Sequence, residues 1–263
     1  MKKYFYSIHI VTLLFISGCS HYVQTTSGDE YLEKYASLTP GNSNESTGDD
    51  NAGFTDILKK SAQIEPTLRF PARIGLARID NGRLSAIPEA EIEAWYETKE
   101  SLGKGFGEFI PISPLIANMA AATVYQSDNY RIDNTINKVR LGAARQHLDA
   151  VLVYEVYSRS SSKSNILAIA NLTIIGGYIL PSKLIKAEGF ANAMLIDVLQ
   201  GYPYGTAQVI VDKDEISTAW GTSEHIDSIK DKVKTSAAIK LMDEIEDMFK
   251  ELRWELAEKR VNS

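Results

Sequence analysis

Cysteine is nearly absent from this sequence: Cys19 stands alone among 263 residues. A single thiol excludes an internal disulfide, and a chain of this length can build a sufficient core without one. Histidine is almost as scarce, with four in all. No two histidines stand four residues apart, which excludes a metal pair on one helix face. Positive charge is in deficit, at 28 Lys and Arg against 34 Asp and Glu. That balance argues against nucleic acid, which needs clustered basic side chains, and against adhesion to anionic lipid by charge alone. The pattern Gly-x-Ser-x-Gly does not occur, so the nucleophile elbow of serine hydrolases has no support. No apolar run reaches the roughly 20 residues that a membrane-spanning helix needs.

The first nineteen residues are ordered in a way the rest is not. Lys2 and Lys3 are followed by an apolar run from Tyr4 to Ile16, then by Ser17, Gly18 and Cys19. Charge, apolar core and small residues in that order read as a secretory signal rather than an element of the fold. Ile16-Ser17-Gly18-Cys19 resembles the lipobox of bacterial lipoproteins. The resemblance implies cleavage before Cys19, diacylation of its thiol and acylation of the new amino terminus. One acyl chain holds a membrane only marginally, at about 0.8 kcal/mol per buried CH₂, and the three chains that the lipobox implies give a stable anchor. Ser20 rather than Asp after the cysteine points, by the same resemblance, to the periplasmic face of the outer membrane. Without Lys2 and Lys3 the mature chain has 26 basic residues against 34 acidic ones, a charge of about −8.

These features divide the chain into a signal peptide over 1–18, a lipidated flexible tether over 19–66 and one periplasmic domain over 67–263. The run Gly41 to Asp50 has no apolar side chain and cannot offset the entropy of ordering. About 45 disordered residues reach roughly 35–40 Å; inside them Glu30 to Leu38 reads as a short helix. Beyond Leu68, Ala72 to Ile79 reads as a strand, and Pro88 opens a helix with Glu89, Glu91 and Glu93 at its positive end. Glu108 to Ile112 is a second strand, Leu115 to Tyr125 an Ala-rich helix, Asp133 to His147 a third helix and Ala150 to Tyr154 a buried strand. Arg159 to Asn165 reads as a polar loop, Ala187 to Leu199 and Tyr204 to Val211 as a hairpin, and Asp212 to Thr222 as another loop. From Ile226 to Leu256, Ile229, Val233, Ala237, Leu241, Ile245, Met248 and Leu252 form one stripe of a long helix. The expected fold is α/β, with α+β as the alternative: a mixed sheet of about five strands with flanking helices, a C-terminal hairpin and a long C-terminal helix.

Chemistry-bearing clusters are few. Gly103-Lys104-Gly105-Phe106-Gly107 follows a helix and leads into a strand, the reverse of a phosphate cradle, and reads as a helix stop. Asp212, Asp214 and Glu215 lack the glycine turn and distal Glu of a calcium loop and read as a solvated acidic turn. No catalytic residue, metal site or cofactor is expected. The stretch Ile166 to Leu180 is apolar without a single charge. It is either packed inside the domain or a contact surface carried by Ile174, Ile175, Tyr178 and Ile179.

The order of elements looks like the periplasmic α/β domain shared by the TolB amino-terminal domain and the curli-secretion pore lipoprotein. More narrowly, Leu68 to Gly75, Asp149 to Val153 and Thr173 to Pro181 are similar to rhombotarget-type lipoproteins. That family carries no established activity, so the resemblance transfers no residue roles. The expectation is a non-enzymatic binding or scaffold subunit, lipid-anchored through Cys19 in the bacterial envelope, with a protein partner. The alternatives are a pore-forming or secretion-accessory lipoprotein and a periplasmic hydrolase. The first would need alternating membrane strands, which Ile166 to Leu180 is not, and the second a nucleophile and base.

Overall fold

The computed structural model describes residues 20–23, 50–128, 135–163, 174–175, 178–179, 182–218 and 222–262. In chain order the elements are β1 (Ser20–Val23), α1 (Asp50–Ala62), β2 (Ala72–Asp80), β3 (Arg83–Ser85), α2 (Glu89–Leu102), β4 (Gly107–Pro111), α3 (Pro114–Asp128) and α4 (Thr135–Arg145). They continue with β5 (Ala150–Lys163), β6 (Ile174–Ile175), β7 (Tyr178–Ile179), β8 (Ser182–Asp197), β9 (Pro203–Thr218) and α5 (Thr222–Asn262). The fold is mixed α/β.

Seven strands form one sheet in the order β1-β9-β8-β5-β2-β3, with β4 paired to β2 beside β3. The pairs β2/β4 and β2/β5 are parallel; β5/β8, β8/β9 and β1/β9 are antiparallel. β4 lies to one side of β2 and β5 to the other. The chain therefore crosses the sheet in opposite directions on its two parallel connections, and crossovers of one hand then place their helices on opposite faces. The packing agrees with that rule. Ile74, Leu76, Leu152 and Tyr154 meet Trp95 and Leu102 of α2 and the stripe of α5. Ala77, Ile79, Val151 and Val153 meet Ala117 of α3 and Val139 and Ala143 of α4.

α5 is the largest single element, 41 residues or about 60 Å long. Ile229, Val233, Ala237, Leu241, Ile245, Met248, Leu252 and Leu256 are all buried along it, joined by Met242 and Phe249. It lies close enough to the sheet that a Cβ on Gly189 of β8 would sit 2.2 Å from the Val233 carbonyl oxygen. Only glycine permits that approach.

Three expectations are corrected. The segment 19–66 is not free chain throughout: Ser20–Val23 is an edge strand paired with Gln208 to Gly205, and Asp50–Ala62 is a helix. The helix expected at Glu30 to Leu38 lies outside the described residues. The polar loops expected after Ser158 and Val211 are strand as far as Lys163 and Thr218, so β5, β8 and β9 run 14, 16 and 16 residues. Asp212, Asp214 and Glu215 accordingly belong to β9 rather than to a turn. The sheet also gains the short β3, formed where Asn81 and Gly82 turn the chain with positive φ of 50° and 73°.

Candidate functional site

Among the described residues, two places depart from a simply packed core. The first is a buried polar cluster on the α2 side of the sheet. Regular alternation puts Arg78 on the same face of β2 as Ile74 and Leu76, under α2. Its Nε donates to both carboxylate oxygens of Glu91, at 3.1 and 2.9 Å, and its Nη1 donates to Asp80 and Ser85. The Tyr154 hydroxyl donates to Glu91 Oε2 at 2.9 Å. Glu91 is 2% exposed. Burial works against the Arg78 charge, but Glu91 and Asp80 outweigh it and raise the pKa of the guanidinium. Burial also pulls the Asp80 carboxyl upward; the Arg78 hydrogen bond and the nearby Lys234 ammonium prevail and hold it below the ordinary aspartate value. Desolvation, then the charge and hydrogen bond of Glu91, push the Tyr154 hydroxyl well up. Each buried charge here is paired, as burial demands. The cluster bolts α2 to β2 and β5, and through Lys234 reaches α5.

The second place is the other face of the sheet over β8, β9 and β1. α4 covers β5 and stops there. Beyond it no helix of the described residues lies on this face, and the alternation along β9 is plain: Thr206, Gln208, Ile210 and Asp212 are exposed while Ala207 and Val209 are buried against α5. The register sets out rows of side chains across the strands. Val153, Met194, Thr206 and Tyr22 form one row; Glu155, Asn192 and Gln208 the next; Tyr157, Phe190 and Ile210 a third; Arg159, Glu188 and Asp212 a fourth. Tyr22, 62% exposed, closes one flank and Ile136 of α4 the other. Between them lies an open depression of about 530 Å³. In the third row the Tyr157 and Phe190 rings stack with centroids 4.9 Å apart and 7° between planes. The Arg159 guanidinium lies 5.2 Å from the Phe190 centroid and 5.8 Å from that of Tyr157. The two stacked rings and the guanidinium thus stand side by side on this face, the cation beside both rings.

An open depression of this kind suits a protein surface better than a small molecule, which needs enclosure on most sides. No group of three His, Cys, Asp or Glu side chains among the described residues is placed to hold a metal ion. His147 lies just past the end of α4 with φ of 55°, and its carbonyl accepts from Arg73. Gly103 stops α2 with φ of 76°, its N–H donating to the Lys99 carbonyl.

Ile174, Ile175, Tyr178 and Ile179 come together as a two-stranded antiparallel ladder, with Ile174 opposite Ile179 and Ile175 opposite Tyr178. It is separate from the main sheet. Cys19 lies outside the described residues, immediately before β1. No helix of the described residues is long and apolar enough to cross a membrane. Sequence reasoning missed the open face because it ended β5 and β9 too early. The signal present in the chain was the alternation of Phe190, Asn192 and Met194 with Ala191, Ala193 and Leu195.

No family model matches the chain, and no curated protein matches it. Among solved structures, the PelC dodecamer from Paraburkholderia phytofirmans is similar over 69% of this chain and 91% of that one, at 13% identity and a TM-score of 0.28. Lipoprotein GNA1162 from Neisseria meningitidis matches over 62% and 98%, at 15% identity and 0.27. The rare lipoprotein B from Shewanella oneidensis matches over 72% and 97%, at 12% identity and 0.26. Two of the three are lipoproteins by name; likeness at these scores carries no argument about this chain.

Proposed function

We propose that this chain is a lipid-anchored protein of the bacterial envelope, attached through Cys19, that works as a non-enzymatic binding or scaffold subunit for a protein partner. The observation that carries the reading is where the lipobox-like motif falls. Ile16-Ser17-Gly18-Cys19 runs directly into β1, whose Ser20 is paired with Gln208 of β9. An anchor at Cys19 is thus joined to the folded sheet without an intervening linker. The body is held against the membrane rather than swinging roughly 35–40 Å from it, as a flexible chain of about 45 residues would allow. The uncovered sheet face, with its aromatic stack and shallow depression, supports binding as the mode of action.

The test is Cys19→Ala in cells fed a palmitate analogue. The variant is expected to lose the label entirely and to leave the membrane fraction or accumulate unprocessed. Labelling equal to that of the parent chain would refute attachment at Cys19. Recovery of the lipidated protein from membranes, with identification of the chains that stay bound, then gives the partner.

A further inference from the structure

β4 is hydrogen-bonded along one side. The Ala72 N–H donates to the Phe106 carbonyl, and the Ile112 N–H donates to the Leu76 carbonyl. Between these two bonds the parallel register sets Ile74 opposite Phe109, which turns the backbone groups of Glu108 and Ile110 toward β2. The N–H and carbonyl of Phe109 and the carbonyl of Pro111 therefore point away from the sheet. Among the described residues β4 pairs with β2 alone. Pro111 is where an edge strand tolerates proline, since the N–H it lacks would lie on the outer side. β4 belongs to the unbroken described stretch 50–128 and lies across the sheet from β1.

A hollow of about 60 Å³ lies beside this edge, between α2 and β4. Leu76, Ile87, Ile92, Phe109 and Pro111 make most of its wall apolar. Trp95, only 5% exposed, stacks on Phe109 at the back, with ring centroids 6.1 Å apart. The space holds roughly four groups the size of water, which matches a branched aliphatic side chain. Ser101 of α2 faces α5, donating to Glu246. The flank of α2 that carries Tyr96 and Lys99 is turned the other way and borders the hollow. Tyr96 is 66% exposed. Lys99 is exposed as well, with no ion pair among the described residues.

We infer that β4 takes an extended segment of a protein partner as an added strand, with a branched aliphatic side chain in the hollow and a carboxylate at Lys99. A strand laid about 4.8 Å outside β4 bonds to the outward groups of Phe109 and turns every second side chain to the α2 face, where the hollow receives one. Main-chain bonds then supply affinity, and the hollow and the cation supply selectivity. The inference rests on the reading above that this chain binds a protein, and it is independent of attachment at Cys19.

The probe is a random linear peptide library displayed on phage and selected on the mature protein. Selected peptides are expected to share an aliphatic residue with an acidic one close by. They should slow hydrogen exchange at the Phe109 amide, which exchanges fast in the free protein. Lys99→Glu should keep the parent melting temperature and weaken these peptides by about tenfold, the scale of one lost charge pair. Gln208→Arg, on the other face of the sheet, should leave them unchanged. Peptides that protect β9 instead, or that bind Lys99→Glu as tightly as the parent, would overturn the inference and leave the protein-binding reading standing. A Phe109 amide that is protected in the free protein and loses protection on dilution would mean that a second copy holds the edge, and would overturn it. A selection that enriches no peptide would overturn it as well; recovery of bound chains from membranes decides the broader reading separately.

Discussion

Glu91 shows how one residue can serve a role that its sequence context hides. Beside Pro88 and Glu89 it reads as one of several acidic residues favouring a helix start, and it does stand in the first turn of α2. In the fold it is also the shared acceptor for Arg78 and Tyr154, with almost no access to water. Removing it leaves the Arg78 guanidinium buried with the partly exposed Asp80 as its one remaining carboxylate among the described residues. Glu91→Ala should cost about 3–5 kcal/mol of folding stability, the usual penalty for orphaning one member of a buried pair. Chemical denaturation monitored by tryptophan fluorescence would measure it, since Trp95 packs against Tyr154 with ring centroids 6.0 Å apart. A loss under about 1 kcal/mol would mean that the pair behaves like an exposed one. The sequence did carry a trace of this pair. Arg78 falls on the inward face of a strand, two residues beyond Leu76, and an inward arginine requires a carboxylate. Which of the many acidic residues answers it depends on how α2 lies over β2, and no local pattern encodes that.

At the scale of elements, legibility tracks burial. Strands and helices with a continuous apolar signal, β2, the start of β5, and α5, stand where the pattern of side chains puts them. The distal halves of β5, β8 and β9 do not read as strands because only one of their faces is covered. Ile185 and Ala187 pack under Ile229 and Val233 of α5, while Lys186 between them and Glu188 after them face outward. Polar residues at every second position then look like loop. β1 is illegible for another reason: four residues are too few for a period, and the strand exists because β9 offers an edge to pair with. α5 holds this extended part together, and it approaches the β8 backbone tightly at Gly189. Gly189→Ala would force the helix backbone away at Val233. The expected loss is about 1–3 kcal/mol, read as a lower melting temperature in circular dichroism. An unchanged melting temperature would show that α5 can shift there without cost.

On the scale of the whole molecule, the proposed attachment point at Cys19 lies next to the first strand of the sheet. The motif ending at Cys19 is legible without any structure, because a signal of charge, apolar run and small residues is read linearly. The strand directly after it is not legible in that way, since the composition of 19–66 favours disorder and only pairing with β9 makes Ser20–Val23 a strand. Under the proposed attachment at Cys19, the anchor would meet the body at one edge of the sheet. The most direct test is peptide-resolved hydrogen exchange on the mature protein in phospholipid vesicles, tracking the N-terminal peptide from Cys19 to Val23. The account predicts that this peptide carries the mass of the acyl chains and that its amides are protected to the same degree as those of β9 from Tyr204 to Gln208. An unmodified peptide, or one that exchanges as fast as free chain, would contradict it.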